Sequence, residues 1–124
     1  MQSFYKKKYK AIFIDLDGTL LRHDLTISEL DQQAVIQANE QGIEVIFASG
    51  RPYDAIAQTA TKLGVGNYVI ASNGGSVVNL HNRQVLNTSP IPKDIALLAA
   101  EAAYQNGVTP TMYTATDWIA ERLD

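Results

Sequence analysis

Apolar residues arrive in short blocks separated by polar turns, and their spacing alternates between strand-like runs and helix-like stripes. The run Ala11-Ile12-Phe13-Ile14, bounded by Lys10 and Asp15, predicts a strand buried on both faces, as in a parallel sheet. Thr26-Ile27-Ser28-Glu29 fits a capping box with Thr26 as N-cap, and Leu25 and Leu30 take the hydrophobic-staple positions. A helix over about 27–41 follows and stops at Gly42. A second strand over 43–48 ends at Ser49-Gly50-Arg51-Pro52, and Pro52 suits the first turn of a helix reaching Lys62 or Leu63. Gly64-Val65-Gly66 closes that helix. A third strand over 68–71 ends at Ser72-Asn73-Gly74-Gly75. This β-α-β-α-β order implies parallel pairing, right-handed crossovers and helices on both faces.

The last third changes character. Segments 76–80 and 84–87 read as a hairpin around His81-Asn82-Arg83. Pro90 and Pro92 mark a linker. Residues 93–105 carry a helical stripe of Ile95, Leu98, Ala99 and Ala102, ended by Gly107. Segments 109–113 and 118–120 predict two further strands, with Tyr113 and Trp118 as core of this small unit or as side chains facing a pocket.

Composition narrows the picture. A chain of 124 residues suffices for one domain with a real core, and its apolar fraction of 46% suits a globular protein. A net charge of −3 argues against nucleic acid as the main partner. The chain has no cysteine, which excludes disulfides and thiolate metal sites. No apolar run is long enough to cross a bilayer and nothing resembles a signal peptide, so the expectation is a cytoplasmic protein without a membrane partner. Lys6-Lys7-Lys8 reads as a solvated lead-in to the first strand.

The candidate chemistry lies where the strands end. Asp15 and Asp17, two residues apart, should point to one side. Two crowded anions are unfavourable unless they share a proton or hold a cation, so a divalent metal, a shared proton or both are implied. The bland alternative is an Asp-Gly turn with Asp15 as a local cap. Ligands in open α/β sheets bind beyond the carboxyl ends of the strands. All three strands here end in polar residues: Asp15 and Asp17, Ser49, and Asn73. Gly64-x-Gly66 does not complete a dinucleotide fingerprint, because Val69 stands where the third glycine belongs. There is no P-loop. His23 and His81 have no partner at metal-ligand spacing.

Asp15-Leu16-Asp17-Gly18-Thr19-Leu20 after an apolar strand resembles motif I of the haloacid dehalogenase superfamily, whose phosphatases carry Asp-x-Asp-Gly-Thr. The resemblance implies Asp15 as nucleophile forming an aspartyl-phosphate and Asp17 as general acid/base, with both holding Mg²⁺. Ser49-Gly50-Arg51 resembles motif II, in which the hydroxyl binds a phosphate oxygen. Ser72-Asn73-Gly74-Gly75 is similar to the Asn-Gly segment of the Cof-type subgroup with a C2B cap, although an Asn-Gly hairpin turn explains it nearly as well. Arg51 contacts phosphate or is merely solvated. Gly18, Thr19, Ser49, Gly50, Arg51 and Asn73 are thereby placed around the phosphate.

The implied fold class is α/β, a three-layer Rossmann-like parallel core over 1–89 with the start of an α+β C2B cap over 90–124. The implied partner is a small phosphorylated metabolite such as a sugar phosphate. The family's motif III Lys or Arg and its Gly-Asp-x-x-x-Asp segment are not found, and the chain stops at Arg122-Leu123-Asp124 inside the expected cap. A truncated product is the expectation, with an exposed sheet edge prone to self-association. Two functions follow: a Mg²⁺-dependent phosphatase, or a non-catalytic module that binds metal or phosphate weakly. A receiver domain is excluded, because Ser72-Asn73 stands where its phosphate-accepting Asp would end the third strand.

Overall fold

The structure, a computed structural model, describes residues 9–120 of the chain. Lys6-Lys7-Lys8 and Arg122-Leu123-Asp124 lie outside the described residues.

Three strands, β1 (Ala11–Ile14), β2 (Glu44–Ala48) and β3 (Tyr68–Ala71), pair in parallel in that order. Helices α1 (Glu29–Glu40) and α2 (Tyr53–Leu63) make the two crossovers. Strands β4 (Ser76–Asn79) and β5 (Val85–Thr88) add antiparallel, giving a five-stranded sheet in the order β1-β2-β3-β4-β5. The fold is therefore α/β with a parallel Rossmann-like centre, as the element order predicts. Beyond the sheet lie α3 (Lys93–Gln105) and the antiparallel pair β6 (Thr111–Tyr113) and β7 (Trp118–Ala120).

The core sits on one face. Register sets Ile12 and Ile14 beside Val45 and Phe47, and Val69 beside Val78. Val45, Phe47, Val69, Ala71 and Val78 are buried, joined by Val35 of α1 and by Ile56, Ala60 and Leu63 of α2. Both helices thus contribute to one cluster, which corrects the expectation of one helix per face. Two right-handed crossovers in a sheet ordered β1-β2-β3 step in one direction and cover the same side. Phe13 points to the other face and is 62% exposed. Strand β1 is therefore not buried on both faces; it is the outer strand of the sheet among the described residues.

The start of α1 also differs. Its N-cap is Ser28, whose hydroxyl accepts from the Asp31 amide at 3.0 Å. Thr26 is drawn into the preceding turn, donating from both its amide (3.0 Å) and its hydroxyl (2.6 Å) to Asp24. Leu25 and Leu30 form no staple and stand 61% and 76% exposed. Gly64 caps α2 in the left-handed region at φ 67°. Gly66 is held small by backbone, since a Cβ there would lie 2.6 Å from the Val45 carbonyl oxygen. This glycine pair is structural.

Candidate active site

The carboxyl ends of β1, β2 and β3 share one edge of the sheet, and the loops leaving them build the site. After Ile14 the chain turns at once. Leu16 is fully buried and Leu20 and Leu21 nearly so, whereas Asp15, Asp17 and Thr19 face solvent. The leucines pin the loop to the core and leave the polar side chains outside. Backbone bonds tighten it: the Thr19 amide donates to the Leu16 carbonyl at 3.3 Å, Leu20 to Asp15 at 3.2 Å and Leu21 to Leu16 at 2.8 Å. Gly18 takes φ 75° at the sharpest point, where a side chain would be strained.

The two aspartates meet different partners. Thr19 Oγ1 donates to Asp15 Oδ2 at 3.0 Å. Asp17 is gripped at both oxygens by Arg51, from Nε at 2.8 Å and from Nη2 at 2.6 Å. That fork holds the Asp17 carboxyl below the usual carboxylate range, and the Ser49 hydroxyl adds to the effect. The same pairing raises Arg51. Arg51 is thus not simply solvated. Its charge is engaged by Asp17.

Ser49 is buried at the end of β2, and its Oγ accepts from the Arg51 amide at 3.2 Å. The third loop rests on this one: the Ser72 amide donates to the Arg51 carbonyl at 2.9 Å, and Asn73 to Ser49 at 3.1 Å. Ser72, Asn73 and Gly74 run through φ 52°, 55° and 88°, a left-handed stretch. It costs each of the two L-residues roughly 1–2 kcal/mol, so the two bonds to the second loop help hold a strained turn. Ala71 pairs with Ser76 across it, so the hairpin reading is correct in geometry. Asn73 nonetheless lies over Gly50, where a Cβ would come within 2.9 Å of its Oδ1.

Of the site residues named from sequence, Asp17, Ser49, Gly50, Arg51 and Asn73 are brought together, while Asp15 pairs with Thr19. A cleft of about 550 Å³ opens at Gly50, Ser72 and Asn73 and runs toward α3 and β6. Asp15 and Asp17 are not in its lining, and Asp17 connects to it through Arg51, the neighbour of Gly50. Arg83, read from sequence only as a hairpin residue, proves to tie the cleft's outer wall. Its Nη2 donates to the Thr116 carbonyl at 2.9 Å and to Asp117 at 3.1 Å, Nη1 lies 3.6 Å from Asp54, and the guanidinium covers the Tyr53 ring at 5.0 Å. Ser76 Oγ adds a bond to the Ala115 carbonyl at 3.3 Å. The only sequence signal for this was an arginine in a turn.

Asp15 and Asp17 offer hard oxygen donors, the kind Mg²⁺ takes as one or two carboxylates completed by water and phosphate oxygens. Among the described residues no cluster of three or more Asp, Glu, His or Cys forms a fuller cage. The donor chemistry fits Mg²⁺, with Asp17 available only when Arg51 releases it.

Comparison with known proteins bears on this loop arrangement. Residues 12–123 match the family model described as haloacid dehalogenase-like hydrolase. The chain is 33% identical over 86 residues to 5-amino-6-(5-phospho-D-ribitylamino)uracil phosphatase YcsE of Bacillus subtilis, covering 66% of this chain and 34% of that one. It is 31% identical over 104 residues to pyridoxal phosphate phosphatase YbhA of Escherichia coli, covering 84% of this chain and 38% of that one. Among solved structures, a haloacid dehalogenase-like hydrolase from Bacteroides thetaiotaomicron superimposes with a TM-score of 0.82 at 30% identity, over 93% of this chain and 44% of that one. The chain spans roughly a third of the length of these curated relatives. Because the family match takes in all three strand-end loops, we conclude that the chain belongs to the haloacid dehalogenase-like hydrolases.

Proposed function

We propose that the chain serves phosphomonoester hydrolysis on a small phosphorylated metabolite, with Asp15 as nucleophile. The observation that carries this is the pair of solvent-facing carboxylates on a loop pinned by buried leucines. Thr19 holds Asp15 by Oδ2, which leaves Oδ1 as the oxygen to attack the phosphorus. The attack forms an aspartyl-phosphate and expels the alcohol's oxygen, which takes its proton from Asp17. Asp17 then accepts a proton from the water that cleaves the acyl phosphate. For the first step Asp17 must carry a proton, which the Arg51 fork opposes. Arg51 therefore has to move off, and the phosphate oxygens are the natural anion to receive it. The Ser49 hydroxyl donates to a phosphate oxygen without adding charge. Gly18, Gly50 and Asn73 shape the space around it. A bound Mg²⁺ would be held by Asp15, with Asp17 contributing only while deprotonated, and would supply charge neutralisation to the phosphoryl group.

The wider reading divides the chain into a core over 1–89 and a cap portion over 90–124, and locates it in the cytoplasm. A second reading, a non-catalytic module that binds metal or phosphate weakly or self-associates, is favoured by Asp17 being held deprotonated and by Phe13 exposed on the outer strand β1. Mg²⁺-dependent hydrolysis of p-nitrophenyl phosphate separates the two. Turnover that vanishes in Asp15→Asn supports the phosphatase. Equal background in both proteins, with a concentration-dependent sedimentation profile, supports the module.

A further inference from the structure

A second concavity, a groove of about 420 Å³, runs between the loop over 21–27, the start of α1 and the length of α2. It shares no lining residue with the strand-end cleft. Buried Leu21 and Leu63, with half-buried Ile27 and Ala55, give it an apolar base. Ala55, Thr59 and Lys62 stand on successive turns of α2, and at 1.5 Å per residue they span about 10 Å. Leu25 also lines it, 61% exposed and held at φ 63° in the left-handed region. The turn that holds it there is closed by the Leu25 amide on the Arg22 carbonyl and the Arg22 amide on the Thr26 carbonyl, both at 2.9 Å. A leucine kept strained and exposed over an apolar groove is a local cost of the kind that marks ligand contacts.

Charge decides the occupant. No Asp or Glu lines the groove. The carboxylates next in sequence to its lining are engaged: Asp24 accepts from Thr26, Asp31 from Ser28, and Asp54 pairs with Arg83. At one end Arg51 commits Nε and Nη2 to Asp17, and its Nη1 has no hydrogen-bond partner among the described residues. At the other end the Lys62 ammonium makes neither a hydrogen bond nor an ion pair among the described residues. One unpaired cation beside an elongated apolar base complements one negative charge on a hydrocarbon chain. We infer that this groove binds a small monocarboxylate with a linear hydrocarbon body, its head at Lys62 and its chain along α2 beneath Leu25.

Amide NMR titration of the full chain with octanoate, 1-octanol and acetate tests this without requiring turnover. Octanoate should shift residues 21–27, 32 and 55–63, and bind at least about tenfold more tightly than acetate through its chain. It should exceed 1-octanol by about threefold, the margin expected for a solvent-exposed ion pair, and lose that margin at high salt. Lys62→Gln, a change at an exposed position, should erase the preference over octanol, whereas Lys93→Gln, equally exposed on α3, should keep it. Leu25→Ser should weaken octanoate and octanol alike. Circular dichroism confirms that each variant is folded. Octanoate shifts centred on Ser72 and Met112 of the strand-end cleft would overturn the inference. So would equal affinity for octanoate and octanol, a preference that survives Lys62→Gln, or no octanoate binding at all.

Discussion

Leu16→Ala is the sharpest test of how the fold holds the candidate catalytic loop. Leu16 is fully buried between two solvent-facing aspartates, and its carbonyl accepts the bonds from Thr19 and Leu21 that wind the loop. The substitution removes three carbons. At about 0.8 kcal/mol per buried methylene the transfer loss is about 2.4 kcal/mol. An unrelaxed cavity adds to this, since Leu→Ala changes at buried sites range over roughly 2.7–5.0 kcal/mol. We expect a loss of about 3 kcal/mol, a large share of the roughly 5–15 kcal/mol that stabilises a small domain. Urea unfolding followed by far-ultraviolet circular dichroism would show it as a lower midpoint with unchanged slope. Leu25→Ala is the control: Leu25 is 61% exposed and its truncation should cost under about 0.5 kcal/mol. A Leu16→Ala protein that loses less than about 1 kcal/mol would refute the claim that the loop is anchored through this side chain.

Three further outcomes follow. Arg51→Ala frees Asp17, so its carboxyl should titrate nearer the ordinary carboxylate range in a carbon-detected NMR titration; an unchanged titration would mean the fork does not persist in solution. The sign is fixed by that shift: a carboxylate held low in the folded state contributes stability above the unfolded value and loses it as pH falls through the lowered one, so the variant should lose less stability on acidification. Ser28→Ala should cost about 1 kcal/mol in urea midpoint experiments through loss of the α1 cap, and Thr26→Ala less; the reverse order would restore Thr26 as the cap. Arg83→Ala removes the ties to Thr116 and Asp117 and should speed amide hydrogen exchange in the turn between β6 and β7, while exchange in β2 stays unchanged.

The alternation of strands and helices was readable because each element carries its own local signal. The helix over 93–105 is bounded by Pro92 and Gly107, and its observed limits agree with its pattern. Strand 68–71 likewise sits between glycine-bearing turns. What the pattern could not supply depends on neighbours distant in sequence. Whether Phe13 is covered depends on which strand lies outside β1, a matter of sheet order rather than of the Ala-Ile-Phe-Ile run. Thr26 and Ser28 are both favoured cap types, Ser the better, and Asp24 settles the choice by capturing Thr26. The strand-end residues of the site were readable because parallel strands bring their carboxyl ends to one edge. The Asp17–Arg51 fork was not, since those residues lie 34 positions apart and meet only because β1 and β2 are adjacent. The same reason hid Arg83, whose partners lie in α2 and beyond β6.

The most direct test of the central claim is acid-quenched mass spectrometry of the chain after exposure to p-nitrophenyl phosphate, whose leaving group departs without protonation, and Mg²⁺, using an Asp17→Asn variant to slow hydrolysis of the intermediate. The account predicts a hydroxylamine-sensitive phosphoryl adduct located on Asp15 by fragmentation and absent from the Asp15→Asn protein. Turnover without an adduct, an adduct on another residue, or neither turnover nor adduct would contradict it.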